Sequence, residues 1–442
     1  MVFGKERKRM IKKLTIDRVV IILIGLISIW VSSNLNWGKG KPQTIIKADG
    51  KGYYAHLPAI FIYQDLNFGF FEEYEGGKYY NKNLYYDYLK ETNGKRHNKY
   101  FAGTAVPMLP FFLMAHGLSK VLGLPADGYA DLYHIFINIA AIFYLMVALY
   151  FFGKLLDRFG IKSINKALTY LVIYFGTNWF YWVNLEPAVS HVYSVALIPM
   201  FVYYFLKFTD HFNFKNLVIA SLLLGLIVLI RPLNVMCLFI LPIFYKDGAE
   251  ILANIKRILT TPKYLLSSVL LSLAVFSIQF IIYKIQVGSF FIYSYEDEGF
   301  NFLNPEIINF LFSYKKGLFV YTPVFLIGVF GLFYWYKQSK WSASSAVLFL
   351  MLAVYLLSSW HMWWYGGGFG TRVMIDFYLI WCIAIGFLLQ NISGLTRKIV
   401  VSVFTLLVLF TQFQTCQYRY YLIHWDGPTA SEYWDVFLKP WF

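Results

Sequence analysis

The sequence is poor in cysteine and lacks the common signatures of nucleotide-driven or hydrolytic enzymes. Only Cys237, Cys382 and Cys416 are present. The first two lie inside apolar runs, so neither a disulfide framework nor a cysteine-based metal site is indicated. No Walker loop, dinucleotide-binding glycine fingerprint, HExxH sequence or nucleophile elbow is visible. The sequence therefore gives no support to a protein powered by nucleotide hydrolysis.

Charge is also scarce, since only 14% of the 442 residues are charged, whereas 58% are hydrophobic and 21% are aromatic. This composition is too apolar for a soluble protein and predicts an all-α polytopic membrane protein. The formal net charge is +15. The basic residues occur in short clusters between apolar runs, as topology signals do, so the charge does not indicate nucleic-acid binding.

About 11 apolar runs are long enough for membrane spans, because a hydrocarbon core requires roughly 20 apolar residues per helix. The first run, Val19 to Asn34, follows a basic N-terminus without a small-residue cleavage site. It is interpreted as an uncleaved signal anchor with a cytoplasmic N-terminus. The other predicted spans lie near 130–152, 167–185, 188–206, 216–230, 232–245, 264–286, 317–336, 341–359, 373–394 and 399–416.

The run from Phe101 to Leu122 is ambiguous, because it is long enough to cross but contains two prolines, a histidine and a lysine. If it crossed, the basic loop from Lys154 to Lys166 would lie outside, against the positive-inside rule. We therefore predict that it lies in the outer interface as a re-entrant or amphipathic segment. This choice places the other basic connectors in the cytoplasm.

The resulting topology places the long loops outside. They are the first loop (35–128), a loop near 288–316 and a C-terminal tail (417–442), all within a single predicted transmembrane domain that covers residues 1–442. Loops that a rigid scaffold positions often carry function. The active site is therefore expected on the outer face.

The first outer loop begins with an acid flanked by glycines and aromatic residues, between Lys47 and Pro58. Its glycines would let the backbone turn tightly beside a ligand, and its tyrosines suit the headgroup level. The alternative is an ordinary solvated turn, because Asp-Gly is a common turn dipeptide. The candidate site residues of this stretch are Asp49, Tyr53, Tyr54 and His56.

Two further candidates lie on the outer face. Lys99 stands at the start of the interfacial segment, where it would meet a lipid phosphate or simply extend toward the headgroups. Glu186 opens a span together with His191. Glu186 would act through its charge or a hydrogen bond, or would merely compensate the helix dipole.

Cations occur at two other outer positions. Arg231 separates two short apolar runs, where an arginine is costly unless it faces water or an anion. Lys315 and Lys316 precede a span on the same side, against the positive-inside bias. Both positions favour an anionic ligand, although an interface anchor is an alternative for the lysine pair.

The segment from Trp360 to Arg372 is the most unusual, because it combines four glycines with aromatic residues. The glycines permit close approach to a ligand, rings such as Trp364 offer stacking faces for a sugar, and Arg372 offers a two-pronged donor for phosphate. An aromatic belt at the interface is the alternative. Asp376, one turn later, is expected to orient Arg372.

Four short motifs, in this order along the chain, resemble those of C-type (GT-C) glycosyltransferases. Protein O-mannosyltransferases and lipid A aminoarabinose transferases are the most similar in pattern. The motifs are Asp49 in the first outer loop, Asn98-Lys99 followed by Ala102-Gly103, Glu186-Pro187, and the glycine-rich segment that ends in Arg372.

The resemblance implies a GT-C-like bundle of about 11 transmembrane helices, with juxtamembrane helices in the first outer loop. It also implies transfer of a sugar from a polyprenyl-phosphate donor to a lipid, glycan or protein acceptor at the outer face. Asp49 would be the general base, with Glu186 as the second candidate. Lys99 would hold the donor phosphate, with Arg231 or Arg372 also supplying positive charge.

The family often has a second acid beside the one in the first loop, whereas Gly50 follows Asp49 here. An acid pair and a divalent metal are therefore not indicated, although a divalent metal stays an alternative, and no other cofactor is expected. The histidines His56, His191 and His361 are too scattered to suggest zinc. Two other classes remain open: a transporter or flippase of lipid-linked sugars, and a non-catalytic polysaccharide-assembly membrane protein. The expected location is a bacterial inner membrane, with membrane lipids as partners and the active site in the periplasm.

Overall fold

The computed structural model describes residues 14–442; the basic N-terminus up to Lys13 lies outside this part. The α-helices are α1 (Ile16–Asn36), α2 (Asp49–Phe61), α3 (Phe71–Glu73), α4 (Ala105–Val121), α5 (Asp131–Asp157), α6 (Ser163–Phe175), α7 (Trp179–Leu185), α8 (Ser190–His211), α9 (Phe214–Ile230), α10 (Gly248–Thr260), α11 (Pro262–Val287), α12 (Ile307–Phe312), α13 (Leu318–Tyr321), α14 (Val324–Gln338), α15 (Lys340–Ser358), α16 (Tyr378–Asn391), α17 (Gly394–Arg419) and α18 (Ala430–Asp435). The remaining helical segments are tighter or wider turns at Pro42–Thr44, Tyr74–Lys78, Ala102–Thr104, Pro232–Phe244 and Arg372–Phe377.

The expected all-α membrane bundle is confirmed. Within the described residues, eight helices are long and apolar enough to cross a membrane, by length and composition. Seven of these coincide with predicted spans: α1, α5, α8, α11, α15, Arg372–Asn391 and α17. The other four predicted spans are present as shorter or broken passes: α6 with α7, α9, Pro232–Phe244, and α13 with α14.

Local sequence explains the breaks. Pro323 begins the second half of one broken pass, and the preceding Thr322 lies outside helical geometry, as is usual before proline. Pro232 follows Arg231, whose backbone is extended with φ −151°. The chain therefore leaves α9 at Arg231 and starts a tighter helix at the proline, which has no amide hydrogen to lose.

Burial separates central from peripheral helices. In an 18-residue apolar stretch of Arg372–Asn391, 94% is buried inside the protein, whereas the buried share of the corresponding stretch is only 11% in α11 and 22% in α17. A helix that is apolar on every side and buried on every side belongs at the centre of a bundle. The segment that carries Arg372 is therefore the central helix, and α11 and α17 present apolar surface to the surroundings.

Polar contacts join helix ends at one end of the bundle. Lys166 Nζ lies 3.0 Å from Asp17 Oδ2 and 2.8 Å from Asp157 Oδ1, which connects the starts of α1 and α6 with the end of α5. Arg158 pairs with Asp210 near the end of α8 at 2.8 Å. These contacts agree with the predicted topology, in which successive helices cross in opposite directions. In that topology the starts of α1 and α6 and the ends of α5 and α8 lie on the cytoplasmic side.

The first outer loop contains α2, α3 and a short antiparallel hairpin of β1 (Leu89–Thr92) and β2 (Lys95–Asn98), in which Leu89 faces Asn98. This hairpin is not among the elements that the sequence predicts. Its two-residue turn, Asn93-Gly94, has positive φ at both positions, 53° and 71°, as tight hairpins require. Asn98 Nδ2 donates to the Gly52 carbonyl at 2.7 Å, which attaches the hairpin to α2 and places Lys99 directly after β2.

The ambiguous segment forms a continuous helix, Ala102–Val121, which is one of the eight apolar enough to cross. At its start Gly103 lies against the backbone of Leu229 and Ile230. Further along, His116 Nδ1 lies 2.7 Å from the hydroxyl of Tyr133, near the start of α5. Both regions lie close to the predicted outer end of the bundle. That the segment does not cross stays a prediction.

Candidate active site

A cavity of about 1310 Å³ opens at the end of the bundle that carries the predicted outer loops. Its walls come from the first outer loop, residues 181–191, residues 230–233, the 288–316 loop, the glycine-rich segment and the C-terminal tail. Seven of the predicted site residues line it: Asp49, Tyr53, Lys99, Glu186, His191, Arg231 and Arg372. Side chains from distant parts of the sequence therefore meet at one site.

Asp49 is the most completely engaged acid of the cavity. Its Oδ1 accepts hydrogen bonds from the hydroxyls of Tyr100 at 2.8 Å and Tyr86 at 3.0 Å, and its Oδ2 lies 2.6 Å from Arg372 Nη2. Burial acts to raise the pKa of the Asp49 carboxyl, but the Arg372 charge and the two hydroxyl donors outweigh it, and the pKa lies below its usual value. Asp49 is therefore held as a carboxylate.

The prediction of a glycine-flanked turn at Asp49 is wrong, because α2 begins at this residue. Gly50 and Gly52 lie inside the helix. A Cβ on Gly50 would come within 2.8 Å of Ala188, and one on Gly52 within 2.2 Å of the Tyr100 ring. These glycines allow α2 to pack closely against its neighbours. Strain lies one residue earlier, where Ala48 has φ 46°, a region that non-glycine residues avoid.

Arg372 lies where the glycine-rich segment enters the central helix. Its guanidinium carbon is 5.5 Å from the ring centre of Trp182, and its Nε is buried without a hydrogen-bond partner among the described residues. Trp182 also explains why residue 368 is a glycine, because a Cβ at this position would come within 2.5 Å of that ring. A buried donor without a partner is costly, so the Nε of Arg372 is an unsatisfied group beside the cavity.

Arg231 belongs to a second charged cluster on the cavity wall. Its Nη1 lies 3.3 Å from Asp376 Oδ2 and 3.1 Å from His191 Nδ1, and His191 Nδ1 is 2.9 Å from Asp376 Oδ1. Asp376 is fully buried. The expectation that Asp376 orients Arg372 is therefore wrong. The carboxylate instead positions Arg231 and His191, which face the cavity.

Lys99 and Glu186 each have a charged partner. Lys99 Nζ lies 2.6 Å from Glu298 Oε1 and 5.1 Å from the ring centre of Tyr295. Glu186 Oε1 accepts a hydrogen bond from Tyr181 at 2.5 Å and lies 3.1 Å from Lys47 Nζ. Sequence reasoning missed Glu298 and Lys47 as site residues. Both lie in or beside outer loops, but no local pattern distinguishes them from solvated charges.

Tyr54 and His56 lie outside the cavity, although sequence reasoning included them. The Tyr54 hydroxyl donates to the Gly128 carbonyl at 2.5 Å, and His56 Nε2 lies 3.0 Å from the Tyr100 carbonyl. Burial lowers the pKa of His56 to about 4. Both side chains belong to the packing of α2 within the first outer loop, so helical geometry separates them from Tyr53.

Lys315, Lys316 and Trp364 also do not line the cavity. Lys315 Nζ lies 3.0 Å from the ring centre of Trp364, whose indole nitrogen donates to Asp426. Lys316 is buried and donates to the carbonyls of Gly368 and Trp425. These two contacts join the glycine-rich segment to the C-terminal tail. The lysine pair therefore contacts protein groups and supports the cavity wall from behind.

The charged groups of the cavity define what it can bind. Four of its cations, Lys47, Lys99, Arg231 and Arg372, each contact a carboxylate from another part of the chain. A phosphate is attracted to such a group of cations and can share or replace their carboxylate partners. Among residues 14–442 no group of three or more histidine, cysteine, aspartate or glutamate side chains is arranged to hold a metal ion.

Comparison with solved structures supports a GT-C architecture. The oligosaccharyltransferase of Archaeoglobus fulgidus in its apo form aligns with a TM-score of 0.50 and 12% identity over 95% of this chain. The fold is GT-C-like. The archaeal oligosaccharyltransferase AglB from Archaeoglobus fulgidus, solved with an inhibitory peptide and a dolichol-phosphate, aligns with a TM-score of 0.49 and 11% identity, also over 95% of the chain.

This chain spans only 57% of the length of either neighbour. No protein-family model matches it, and no curated protein matches it in sequence. At this identity the likeness establishes the fold and leaves the activity to be argued from the site.

Proposed function

We propose that the protein is a membrane glycosyltransferase that moves a sugar, a hexose or a pentose, from a polyprenyl-phosphate carrier to an acceptor at the outer face of the membrane. The observation that carries the proposal is the contact between Asp49 and Arg372 on the wall of a large cavity that also presents Lys99 and Arg231. Such a site places a proton acceptor beside several groups that stabilise a leaving phosphate.

In the proposed reaction the acceptor hydroxyl attacks the anomeric carbon of the donor. Its proton passes to Asp49, the bond between the anomeric carbon and the phosphate oxygen breaks, and the electron pair leaves with the phosphate. Lys99, Arg231 and Arg372 would stabilise the charge that develops on that oxygen. Arg372 lines the cavity, so its charge can act on the phosphate while Nη2 keeps Asp49 oriented.

Glu186 is the second candidate for the base. It lines the same cavity, and Tyr181 and Lys47 contact its Oε1. The dolichol-phosphate and peptide bound to the AglB neighbour suggest a lipid-linked donor and a protein acceptor, while a lipid or glycan acceptor is also compatible with an open cavity. We place the protein in a bacterial inner membrane, with its N-terminus in the cytoplasm and this site in the periplasm.

Mass spectrometry of surface glycans and lipid-linked sugars in a deletion strain tests the proposal. We expect the strain to lose one surface glycan and to accumulate its polyprenyl-phosphate sugar on the outer leaflet, where a membrane-impermeant oxidant reacts with it. Expression of the wild-type protein should reverse both effects. Accumulation on the inner leaflet would instead indicate a flippase, and unchanged lipid-linked sugars would indicate a non-catalytic assembly protein.

A further inference from the structure

Three aromatic residues form one wall of the cavity beside the charged groups. Tyr295 and Phe300 come from the 288–316 loop, and Trp360 comes from the start of the glycine-rich segment. The Trp360 ring lies 4.8 Å from Phe300 and 6.0 Å from Tyr295, at interplanar angles of 69° and 90°. Edge-to-face packing of this kind fixes the orientation of each ring.

The backbone also holds these rings in place. Phe300 and Trp360 form an isolated antiparallel bridge between the two loops. The amide of His361 donates to the Gly299 carbonyl at 2.9 Å, and the amide of Asn301 donates to the Ser359 carbonyl at 2.6 Å. A ligand that packs against Trp360 therefore meets a preformed surface and pays little for ordering it.

This aromatic wall adjoins the proposed phosphate site. Lys99 Nζ lies 5.1 Å from the ring centre of Tyr295, the same ring that packs against Trp360. A group held by Lys99 and a group held by Trp360 would thus be neighbours. A sugar joined directly to a phosphate also places these two groups side by side.

An aromatic belt does not explain Trp360. Belt residues face the lipid interface, whereas Trp360 is partly buried and lines the cavity. Trp364, which the sequence suggested as the stacking residue, is already covered by Lys315. Among the tryptophans of the glycine-rich segment within the described residues, Trp360 is the one that lines the cavity.

We infer that Trp360, supported by Tyr295 and Phe300, is the surface on which the sugar ring of the lipid-linked donor packs. The C–H groups on one face of a pyranose ring are apolar, and they pack on the electron-rich face of an indole. The inference rests on the proposed function and adds the position of the donor sugar to it. Trp360 is then a binding residue for the sugar, and Lys99 for the phosphate.

Binding of two related lipids to the purified protein in nanodiscs tests the inference. The probes are polyprenyl phosphate alone and the same lipid carrying a hexose (glucose, mannose or galactose) or a pentose (arabinose). We expect the wild-type protein to bind at least one sugar-bearing lipid more tightly than the bare lipid. Trp360→Ala should weaken binding of that lipid by about 2- to 10-fold and leave the bare lipid unaffected. Trp360→Phe should restore part of the difference.

The matched control is Trp434→Ala, which also removes a partly exposed outer tryptophan, 55% exposed and away from the cavity. It should leave both affinities unchanged. An undiminished preference for the sugar in Trp360→Ala, or a wild-type protein without such a preference, would overturn the inference. A Trp360→Ala effect on acceptor KM alone would also overturn it. Failure of the wild-type protein to bind any polyprenyl phosphate would instead contradict the proposed function.

Discussion

At the scale of single residues, the proposed chemistry depends on the contact between Asp49 Oδ2 and Arg372 Nη2, which are 2.6 Å apart. The Asp49 side chain is 18% exposed and the Arg372 side chain 14%. Each side chain therefore compensates the charge of the other in a poorly hydrated environment. Removing one partner of such a pair leaves the other uncompensated. Every variant at these positions therefore needs a stability measurement beside its activity measurement.

The planar guanidinium of Arg372 should be essential, because one residue must hold Asp49 through Nη2 and also present positive charge to the donor phosphate. Arg372→Lys keeps the charge but replaces the fork by a single ammonium. We expect transfer to fall by about 10²-fold, together with donor affinity, in assays of purified protein. Arg158→Lys, at the opposite end of the bundle, is the control. Unchanged donor affinity in Arg372→Lys would move the phosphate role to Lys99 or Arg231.

Several residues of the site could be predicted from the sequence, but the partner that each of them contacts could not. Asp49 and Arg372 were both expected, yet their contact joins positions 323 residues apart, and nothing local indicates it. Tyr54 and His56 follow Tyr53 closely in the sequence, but a helix turns neighbouring side chains to different faces. The same limitation explains why Glu298, the partner of Lys99, was missed.

At the scale of elements, the glycine-rich segment is held from behind by Lys316. The amine donates to the carbonyls of Gly368 and Trp425, and Gly367 packs against the Trp425 ring, which a Cβ would approach to 2.8 Å. Gly367 and Gly368 thus serve close packing on the rings of Trp425 and Trp182, which come from other elements. The sequence indicated close approach correctly, although a ligand was the expected neighbour.

Lys316 should make stability depend on pH. Burial lowers the pKa of its amine from 10.5 to about 7, so between these values the unfolded chain binds a proton that the folded protein does not. Linkage then requires stability to rise with pH across this interval. We expect thermal unfolding in detergent to show this rise in the wild-type protein and a smaller rise in Lys316→Met.

Lys316→Met also loses the two hydrogen bonds of the amine, which lowers Tm at every pH. The slope of Tm against pH is therefore compared between the two proteins, because this constant loss does not change the slope. Lys340→Met, at a position that begins α15 on the predicted inner side, controls for the loss of a lysine in general. Equal pH slopes in the wild-type protein and Lys316→Met would show that the buried amine does not titrate in this interval.

At the scale of the whole molecule, the sequence predicted the passes well because apolar length is a local property. The four spans that differ are broken or short, and the break at Pro323 has a local cause. The hairpin of the first outer loop was missed, since its strands are only four residues each. The cavity could not be predicted, because its walls join six separate parts of the chain.

The topology of the molecule is testable with reporter fusions. If Ala102–Val121 does not cross, a fusion after Phe442 should report the outer side, and one in the basic loop at Lys162 the cytoplasm. The physical reason is that this arrangement keeps the basic connectors inside. A fusion after Gly123 provides the internal check and should also report the outer side. A cytoplasmic signal at Phe442 would contradict this topology.

Transfer by Asp49→Asn tests the central claim most directly. The change keeps the shape of the side chain and removes its capacity to accept a proton, so transfer should fall by ~10²–10⁴-fold, while donor binding and the unfolding transition persist. Asp87→Asn, an exposed acid of the same loop outside the cavity, should remain active, and Glu186→Gln should lose less than Asp49→Asn. Full activity of Asp49→Asn with an inactive Glu186→Gln would reassign the base. Full activity of both variants would contradict the transferase account.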